Sequence, residues 1–488
     1  MPDTVPDETP LLIGERCFSD VDQQWFAEAS GDVNPMHVDA VAARRLLSGR
    51  QVVHGMHTLV QALDLWRSPS GQRPHLASCS FDNPVSVGDR VVFSQRDDAQ
   101  GGSVLTATVD GLVCTELTLR CGDAAALPGQ RSAMPPASAD APARQVGGLT
   151  APLDEPAGSQ AGQRMLLTVA APGLAEVYCR AAALLGPKAL AALAGLSYFV
   201  GMVCPGQHSV FSSLQFVPGA DPAAGLVFTL RRYDPRFRLF DVAFDGCLKG
   251  QLRAFLRPPP QPQPGAAELA MQVRPQEFSG SRSLVVGGSR GLGELTAKLL
   301  AVGGGKVVIS YARGRDDALR VAADIAAAGL GGCEAIALDL DSTGFASLPL
   351  PVDALTAVYY FATPRIYKKK AEVFDRAAFD EFCRYYLDHF TALCRWLDTR
   401  TVEPRVKVYL PSTVFIDDRP KGMAEYAMAK AAAEVLADDL NRSLRHVEVV
   451  CTRLPRLATD QTASIMKVEV GSNVDTLLPV LRRMHGPA

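Results

Sequence analysis

Over much of the first half of the chain, apolar and polar residues alternate with a period of two. The segments SCSFDNPVSVGDRVVFSQRDD (78–98) and SVLTATVDGLVCTELTLR (103–120) place an apolar residue at every second position between turn residues. That is the pattern of half-buried strands. The same pattern returns in FSSLQFVPGADPAAGLVFTLRRYD (211–234) and RLFDVAFDGCLKGQLRAFLRP (238–258). In each block an Asp-Gly pair, Asp110-Gly111 and Asp245-Gly246, marks a hairpin turn. Ahead of each block lies a continuous apolar stretch of helical length, GMHTLVQALDLW (55–66) and ALAALAGLSYFVGM (189–202). The pattern predicts one helix wrapped by an antiparallel sheet, written twice.

From residue 283 the period changes. SLVVGGS, KVVISYA and CEAIALDL read as buried strands, and GLGELTAKLLAVGG and DDALRVAADIAAAG between them as helices. Strand–helix alternation at this spacing predicts a parallel sheet with helices on both faces. Two stretches without apolar periodicity separate the blocks: Gly122 to Gln163, and RPPPQPQPGAAE from Arg257 to Glu268. Consecutive prolines favour an extended, semi-rigid spacer. The expected units are 1–122, 163–257 and 278–488. The expected fold is multidomain: an N-terminal double hot-dog (α+β), then a Rossmann-like, doubly wound α/β parallel sheet. Two unrelated α+β domains are the alternative for the first two units.

Composition narrows the function classes. The 488 residues carry 49 basic and 52 acidic side chains, net −3, which gives no reason to expect nucleic-acid binding. Hydrophobic residues make up 47%, ample for packed cores. No apolar run approaches the ~20 residues of a membrane helix. The N-terminal MPDTVPDETP lacks the basic and apolar regions of a secretory signal. The 11 cysteines are scattered without any Cys-x-x-Cys. That usage fits reduced thiols in a cytoplasmic protein and no structural zinc.

The first chemical constellation is WFAEASGDVNPMHVDAVAARRLLSGRQVVHGM (25–56). Asn34-Pro35 is a helix start, with Asn as N-cap and Pro in the first turn, and the helix is expected to run to about Leu47. Asp32 precedes it and His37 lies in its first turn, where the helix dipole favours neutral imidazole. A neutral His beside a carboxylate can act as a base on water. On spacing alone, Asp32 also reads as a turn residue and His37 as a surface residue. The pair His54 and His57 reads as a loop and a helix histidine rather than metal ligands.

FAEASGDVNPMHVD followed by VVHGM resembles the signature of MaoC-like (R)-specific enoyl-CoA hydratases. That resemblance implies a hot-dog fold and reversible hydration of a 2-enoyl thioester. It implies Asp32 and His37 as the catalytic pair, Asn34 as an orienting, substrate-side residue, and Gly55 as the residue whose backbone N–H binds the thioester oxygen. A helix N-terminus is suited to an enolate-like oxygen. The second unit has no equivalent motif, and its expected part is to complete the fold and the acyl tunnel.

The second constellation begins at VVGGSRGLGE (285–294), between a strand and a helix, where glycines admit a pyrophosphate. Downstream, Tyr426 and Lys430 lie at i and i+4 on one predicted helix, with Ser412 and Thr413 before them. Together these resemble the short-chain dehydrogenase/reductase family. The resemblance implies that Gly287, Ser289, Arg290, Gly291 and Gly293 cradle a dinucleotide, that Asp339 lies near the adenine, and that Thr459 contacts the nicotinamide amide. It implies Tyr426 as proton donor, Lys430 as ribose ligand and depressor of the Tyr426 pKa, and Ser412 as the carbonyl-polarising hydroxyl, with Thr413 as runner-up. Arg290 and Arg313 are placed to meet a 2′-phosphate, and no acidic residue ends the second strand, so NADPH is the expected cofactor. The sequence departs from the family at Val286, at Tyr359–Pro364, at Tyr386 where a relay Asn is expected, and at Arg456. The run Lys368-Lys369-Lys370 reads as a solvated face or as a site for CoA phosphates or an acidic carrier protein.

The two resemblances fit one chemistry, ketoreduction of a 3-oxoacyl thioester and dehydration of the resulting 3-hydroxyacyl thioester, in fatty-acid or polyketide-type assembly. The expected partner is an acyl-CoA or acyl-carrier-protein thioester, with neither nucleic acid nor membrane, and a homodimer is compatible with this reading. Two alternatives compete: a hydratase whose reductase-like unit is a nucleotide-binding scaffold, and a non-catalytic acyl-carrier-binding partner of a synthase.

Overall fold

The computed structural model of the chain describes residues 10–46, 48–69, 73–98, 101–121, 143–219, 225–329, 332–345, 348, 350, 354–367, 373–401, 405–462 and 470–486. Lys368–Lys370 lie outside the described residues. The chain divides into two compact units that meet in sequence at Pro259/Pro260.

Unit one is built on one eleven-stranded sheet. Its strands are β1 (Leu11–Cys17), β2 (Pro74–Phe81), β3 (Arg90–Asp97), β4 (Ser103–Val109), β5 (Leu112–Cys121), β6 (Arg144–Gln145), β7 (Arg164–Leu167), β8 (Ser209–Pro218), β9 (Leu226–Asp234), β10 (Leu239–Asp245) and β11 (Leu248–Leu256). Their spatial order is β1-β3-β4-β5-β2-β8-β11-β10-β9-β7-β6. Outward from the β2–β8 seam, the first half reads β2, β5, β4, β3, β1 and the second β8, β11, β10, β9, β7. The two halves therefore repeat one order across an antiparallel seam that pairs Ala77 with Phe216 and Ser80 with Ser213. Alternation drives the burial: in β3, Val91, Phe93 and Gln95 turn inward, and in β9, Leu226, Phe228 and Leu230 do. Asp110 and Gly111 both take positive φ, 50° and 76°, the backbone of a two-residue hairpin turn matched to strand twist.

The helices of unit one are α1 (Asp20–Ser30), α2 (Pro35–Val38), α3 (Ala40–Ala43), α4 (Gly55–Leu65), α5 (Leu174–Val177), α6 (Cys179–Leu185) and α7 (Pro187–Tyr198). The two long apolar stretches become α4 and α7, and α7 runs on into a π-helical turn, Phe199–Val203. The single helix expected from Pro35 to Leu47 is instead two short ones. Asp39 breaks it, because its carboxylate accepts from the N–H groups of Val41 and Ala42 and starts a new helix. The expected spacer up to Gln163 is also corrected: Arg144–Gln145 pairs with β7, and Val146 is buried in the same core.

Unit two is a six-stranded parallel sheet. Its strands are β12 (Arg282–Val286), β13 (Lys306–Tyr311), β14 (Gly332–Ala337), β15 (Ala357–Tyr360), β16 (Val406–Thr413) and β17 (Val447–Leu454), in the order β14-β13-β12-β15-β16-β17. Its helices are α8 (Ala266–Leu269), α9 (Gly291–Val302), α10 (Arg315–Ala328), α11 (Arg376–Cys383), α12 (Phe390–Asp398), α13 (Phe415–Asp418), α14 (Ala424–Ser443) and α15 (Asn473–His485). The strand order reverses between β12 and β15. In doubly wound sheets that crevice is where ligands bind.

The Pro-rich segment is not a free spacer, and unit two begins at Pro260 rather than 278. Gln261 N–H donates to Asp460, Asn473 donates to Gln263, and Ala266, Leu269 and Phe278 are buried in the unit's core. Lys298, 2% exposed, anchors this docking. Its ammonium donates to the Pro264 carbonyl at 3.1 Å and pairs with Glu294 at 2.7 Å and Asp324 at 2.8 Å. Removing one member of a buried ion cluster leaves the others uncompensated. Lys298→Met is therefore expected to cost about 3 kcal/mol and lower the melting temperature of unit two, read by scanning calorimetry. A Tm equal to wild type would refute the docking role.

Candidate active site

In unit one the sequence folds so that a loop between α1 and α2 meets the end of α7. Gly31 closes α1 in the left-handed conformation, φ 77°, which turns the chain and drops Asp32 inward. Asp32 is 1% exposed. Its carboxylate accepts from Ser197 Oγ at 2.7 Å and from Asn34 N–H at 3.3 Å. Gly201, in the π-helical turn after α7, allows this approach, since a Cβ there would lie 2.3 Å from Asp32 Oδ1. Burial raises the Asp32 pKa, against the Ser197 hydroxyl and the nearby His37, which favour the carboxylate.

His37 is buried beside it. Its Nδ1 donates to the Val52 carbonyl at 2.6 Å, which leaves Nε2 as the lone-pair nitrogen. Its ring stacks on His54, centroids 3.9 Å apart. Burial lowers the His37 pKa; Asp32 opposes that shift and the Arg257 guanidinium adds to it. The imidazole is therefore held neutral beside a carboxylate. His54 supports both residues: its Nε2 donates to the Asp32 carbonyl at 3.0 Å and its Nδ1 meets the Gln23 side chain at 3.0 Å. Donor atoms of Asp32, His37 and His54 lie within 4.8 Å of one another. With both nitrogens of His54 engaged, the trio is a hydrogen-bonded cluster rather than a metal-ligand set. His57 lies apart, bonded to the Tyr178 hydroxyl at 2.6 Å. Gly55 opens α4, which has no side-chain cap, and packs on the Phe81 ring.

The expectation that Asn34 faces substrate is corrected. It is fully buried, and its side-chain oxygen caps α2 through the Met36 N–H. Its amide donates to the carbonyls of Gly201, Gly206 and Gln207. Asn34 fastens the loop between α1 and α2 to the second half, and its amide is spent on those carbonyls. Ser197 and Gly201 escaped sequence reasoning. The available signal was a lone hydroxyl and a second glycine inside an otherwise apolar helical stretch, where a glycine marks close approach.

In unit two the Gly-rich turn sits at the reversal point. Gly287 has φ 83°, and a Cβ there would lie 3.0 Å from the Ala362 nitrogen; a Cβ on Gly293 would lie 2.3 Å from the Gly287 carbonyl. Gly291, φ 59°, begins α9, whose N-cap Arg290 makes no side-chain cap. The turn, with half-buried Ser289, is a backbone cradle at a helix N-terminus, and these residues fit a dinucleotide diphosphate. Thr459 lies beside it, its methyl 3.9 Å from the Cβ position of Gly291. Arg313 is exposed just past β13. Arg290 differs from its expected part: its guanidinium faces Asp460 at 3.6 Å, which offsets its charge toward a phosphate. Asp339 follows β14 and accepts from the Asp341 N–H.

Thr413 faces Tyr426, and its hydroxyl favours the Tyr426 phenolate. Ser412 does not face it and donates to Glu434 instead, since successive residues of a strand point to opposite faces. The hydroxyl on the Tyr426 side of β16 is therefore that of Thr413, a correction to the placement of Ser412. Lys430 is buried, donates to the Pro411 carbonyl at 2.7 Å, and lies 3.7 Å from the centroid of the Tyr386 ring. Burial pushes Lys430 down to about 7 and Tyr426 up to about 12. The expected lowering of the Tyr426 pKa by Lys430 is thus absent, because the ammonium rests on Tyr386 and both groups are desolvated. Tyr386 itself sits in a π-helical turn, Arg384–His389, with its hydroxyl 2.5 Å from Thr363 Oγ1.

A buried carboxylate–imidazole pair thus lies beside a helix N-terminus, on an antiparallel sheet packed around that helix. A glycine-rich turn at the reversal point of a parallel sheet defines a nucleotide-binding fold. Residues 3–108 match the family model described as "MaoC like domain". The mitochondrial 3-hydroxyacyl-[acyl-carrier-protein] dehydratase of Arabidopsis thaliana is 34% identical over 98 residues, 18% of this chain and 57% of that protein. The chain thus spans little more than half the length of this curated relative. Solved structures similar to the chain include a short chain dehydrogenase from Salmonella enterica serovar Typhi, 20% identical, covering 43% of this chain and 93% of that one, TM-score 0.37. Another is the FolM alternative dihydrofolate reductase 1 of Brucella suis in complex with NADP, 19% identical, covering 36% and 72%, TM-score 0.32.

The Asn34 clamp generates a stability prediction. Asn34→Asp keeps the helix cap but replaces the amide donor with a carboxylate facing three carbonyls. A buried group left without partners costs roughly 1–3 kcal/mol, more when charged, so urea denaturation is expected to show a loss of about 3 kcal/mol. An unchanged midpoint would remove Asn34 from this role.

Proposed function

We propose that the chain is a bifunctional acyl-thioester enzyme: a double hot-dog hydratase/dehydratase followed by an NADPH-dependent 3-oxoacyl thioester reductase. The observation that carries the first activity is the buried pair of Asp32 and neutral His37 at the start of α4. The repeated strand order supports the double hot-dog reading, with the second half supplying Ser197 and Gly201 to the first half's site. In hydration, a water between Asp32 and His37 Nε2 gives up a proton to the pair as its oxygen bonds to C3 of the enoyl thioester. The pair returns a proton to C2, so water adds across the double bond and the site ends unchanged. Charge developing on the thioester oxygen falls at the uncapped N-terminus of α4, next to Gly55. The dehydratase relative supports acyl thioesters as the substrate class.

For the reductase, the Gly287–Gly293 turn would hold the diphosphate of NADPH and Arg313 its 2′-phosphate. When bound there, NADPH would supply a hydride equivalent to the 3-oxo carbon. Tyr426, oriented by Thr413, protonates the oxygen. A second reading, with unit two as a nucleotide-binding scaffold, is favoured by one observation: the Lys430 ammonium is covered by Tyr386 and bonded to Pro411. The deciding experiment incubates the protein with NADPH and a 3-oxoacyl thioester, on CoA and on a carrier protein, and follows both products by mass. Asp32→Asn and His37→Ala should abolish hydration of a 2-enoyl thioester by at least about a hundredfold; normal rates in both would end the hydratase assignment. Absence of substrate-dependent NADPH oxidation would select the scaffold reading.

Two finer outcomes follow from the geometry. Activity requires ionised Asp32 and neutral His37. Because burial raises Asp32, kcat/KM for hydration should fall as pH drops through a limb above the ordinary carboxylate range. Ser197→Ala removes a donor to the carboxylate and should move that limb upward; an unmoved limb would show that Asp32 does not set it. In the reductase, Thr413→Val should cut NADPH oxidation by about a hundredfold while Ser412→Ala leaves it near wild type. The reverse ranking would restore Ser412 to the site.

A further inference from the structure

The second half of unit one holds a cavity where its own site would be. The repeat sets α7 opposite α4 and the end of β8 opposite the end of β2. In the first half, Gly55 at the start of α4 packs on Phe81 at the end of β2. At the equivalent place in the second half, the start of α7 and the end of β8 enclose a cavity of about 520 Å³, within the roughly 300–1,000 Å³ of small-molecule sites. Leu76, Leu184, Leu185, Phe216 and Leu248 make its walls apolar. It is separate from the Asp32 site: Ser197, which bonds Asp32, lies nine residues along α7 from Lys188, about 14 Å of helix.

The chemistry of the lining selects a ligand. Arg73 and Lys188 are exposed at the edge of the cavity, and no lining residue is acidic. His75 also lines it, and its Nδ1 is buried without a hydrogen-bond partner. No lining residue stands in for the Asp32–His37 pair. The helix begins with Pro187 after the N-cap Gly186, so the backbone donor that Gly55 offers in the other half is missing here. An apolar slot with cations at its edge and no acidic lining residue suits an alkyl chain ending in an anion.

We infer that this cavity is a non-catalytic binding site for a fatty-acid anion, its chain against Leu76, Phe216 and Leu248 and its carboxylate toward Arg73 and Lys188. The site is independent of the hydratase chemistry and would let the free acid of the pathway's own acyl chains act on unit one without entering the Asp32 site. Charge-assisted hydrogen bonds to the carboxylate set the expected contrast.

The test is a fluorescence titration of the full chain with cis-parinaric acid, with dodecanoate and dodecanol as competitors. Saturable binding is expected, with dodecanoate displacing the probe at least about tenfold better than dodecanol, a difference near 1.4 kcal/mol. Arg73→Glu with Lys188→Glu should weaken binding at least about tenfold, and Ala189→Trp should abolish it by filling the cavity. Hydration of a 2-enoyl thioester, measured on the same variants, should persist and reports that unit one is folded. Absence of saturable binding, equal displacement by the alcohol, or binding untouched in both variants would overturn the proposal. Loss of hydration in Asp32→Asn with probe binding retained would separate this site from the catalytic one.

Discussion

One buried carboxylate organises unit one. Asp32 is buried, 1% exposed, and a desolvated carboxylate persists only if hydrogen-bond donors meet it. The first half of the sheet does not supply them all. Ser197 comes from α7, and room for the carboxylate exists only because Gly201 has no side chain. Asn34 then locks the loop by giving its amide to three carbonyls of the second half. The half without the Asp32–His37 motif therefore helps to build the Asp32 site. The two halves are joined in one sheet through β2 and β8.

The same desolvation tunes the pair. Burial raises Asp32 and lowers His37, so the two are pushed toward each other in proton affinity, which suits a site that takes a proton from water and hands it back. The stacked His54 adds no charge, since burial holds it well below its ordinary pKa. Its part is to fix the Asp32 backbone. In unit two, desolvation acts on a different pair. Lys430 and Tyr426 are both buried, yet the ammonium is spent on the Tyr386 face and the Pro411 carbonyl. The substitution of Tyr386 in a π-helical turn is what separates this site from the pattern its motif suggested.

Much was legible in the chain itself. Period-two alternation located the strands of the sheet, and continuous apolar runs located α4 and α7, because a strand half-buried on one face and a helix buried all round leave different traces. The glycines of the turn at Gly287–Gly293 were legible because their positions demand positive φ or a missing Cβ. Asp32 and His37 stood out through the resemblance of their motif, since spacing alone also allowed a turn residue and a surface residue; their burial side by side came only from the fold. Less legible were the boundaries: Pro-rich segments read as spacers by composition, but Gln261, Gln263 and Ala266 dock through hydrogen bonds and packing that composition does not encode.

What the sequence determined by itself was local: which segments are strands or helices, where a backbone must turn, and which residue types could do chemistry. What only the tertiary structure decided was partnership. Whether Ser412 or Thr413 meets Tyr426 depends on which face of β16 turns toward α14, a matter of one residue in register. Whether Arg290 is free for a phosphate depends on Asp460, 170 positions later in the chain. Whether Asn34 meets a ligand or a carbonyl depends on a turn 167 residues away. Each outcome is set by contacts between distant segments, and burial, which exists only once those segments meet, decides the protonation of every group at the site.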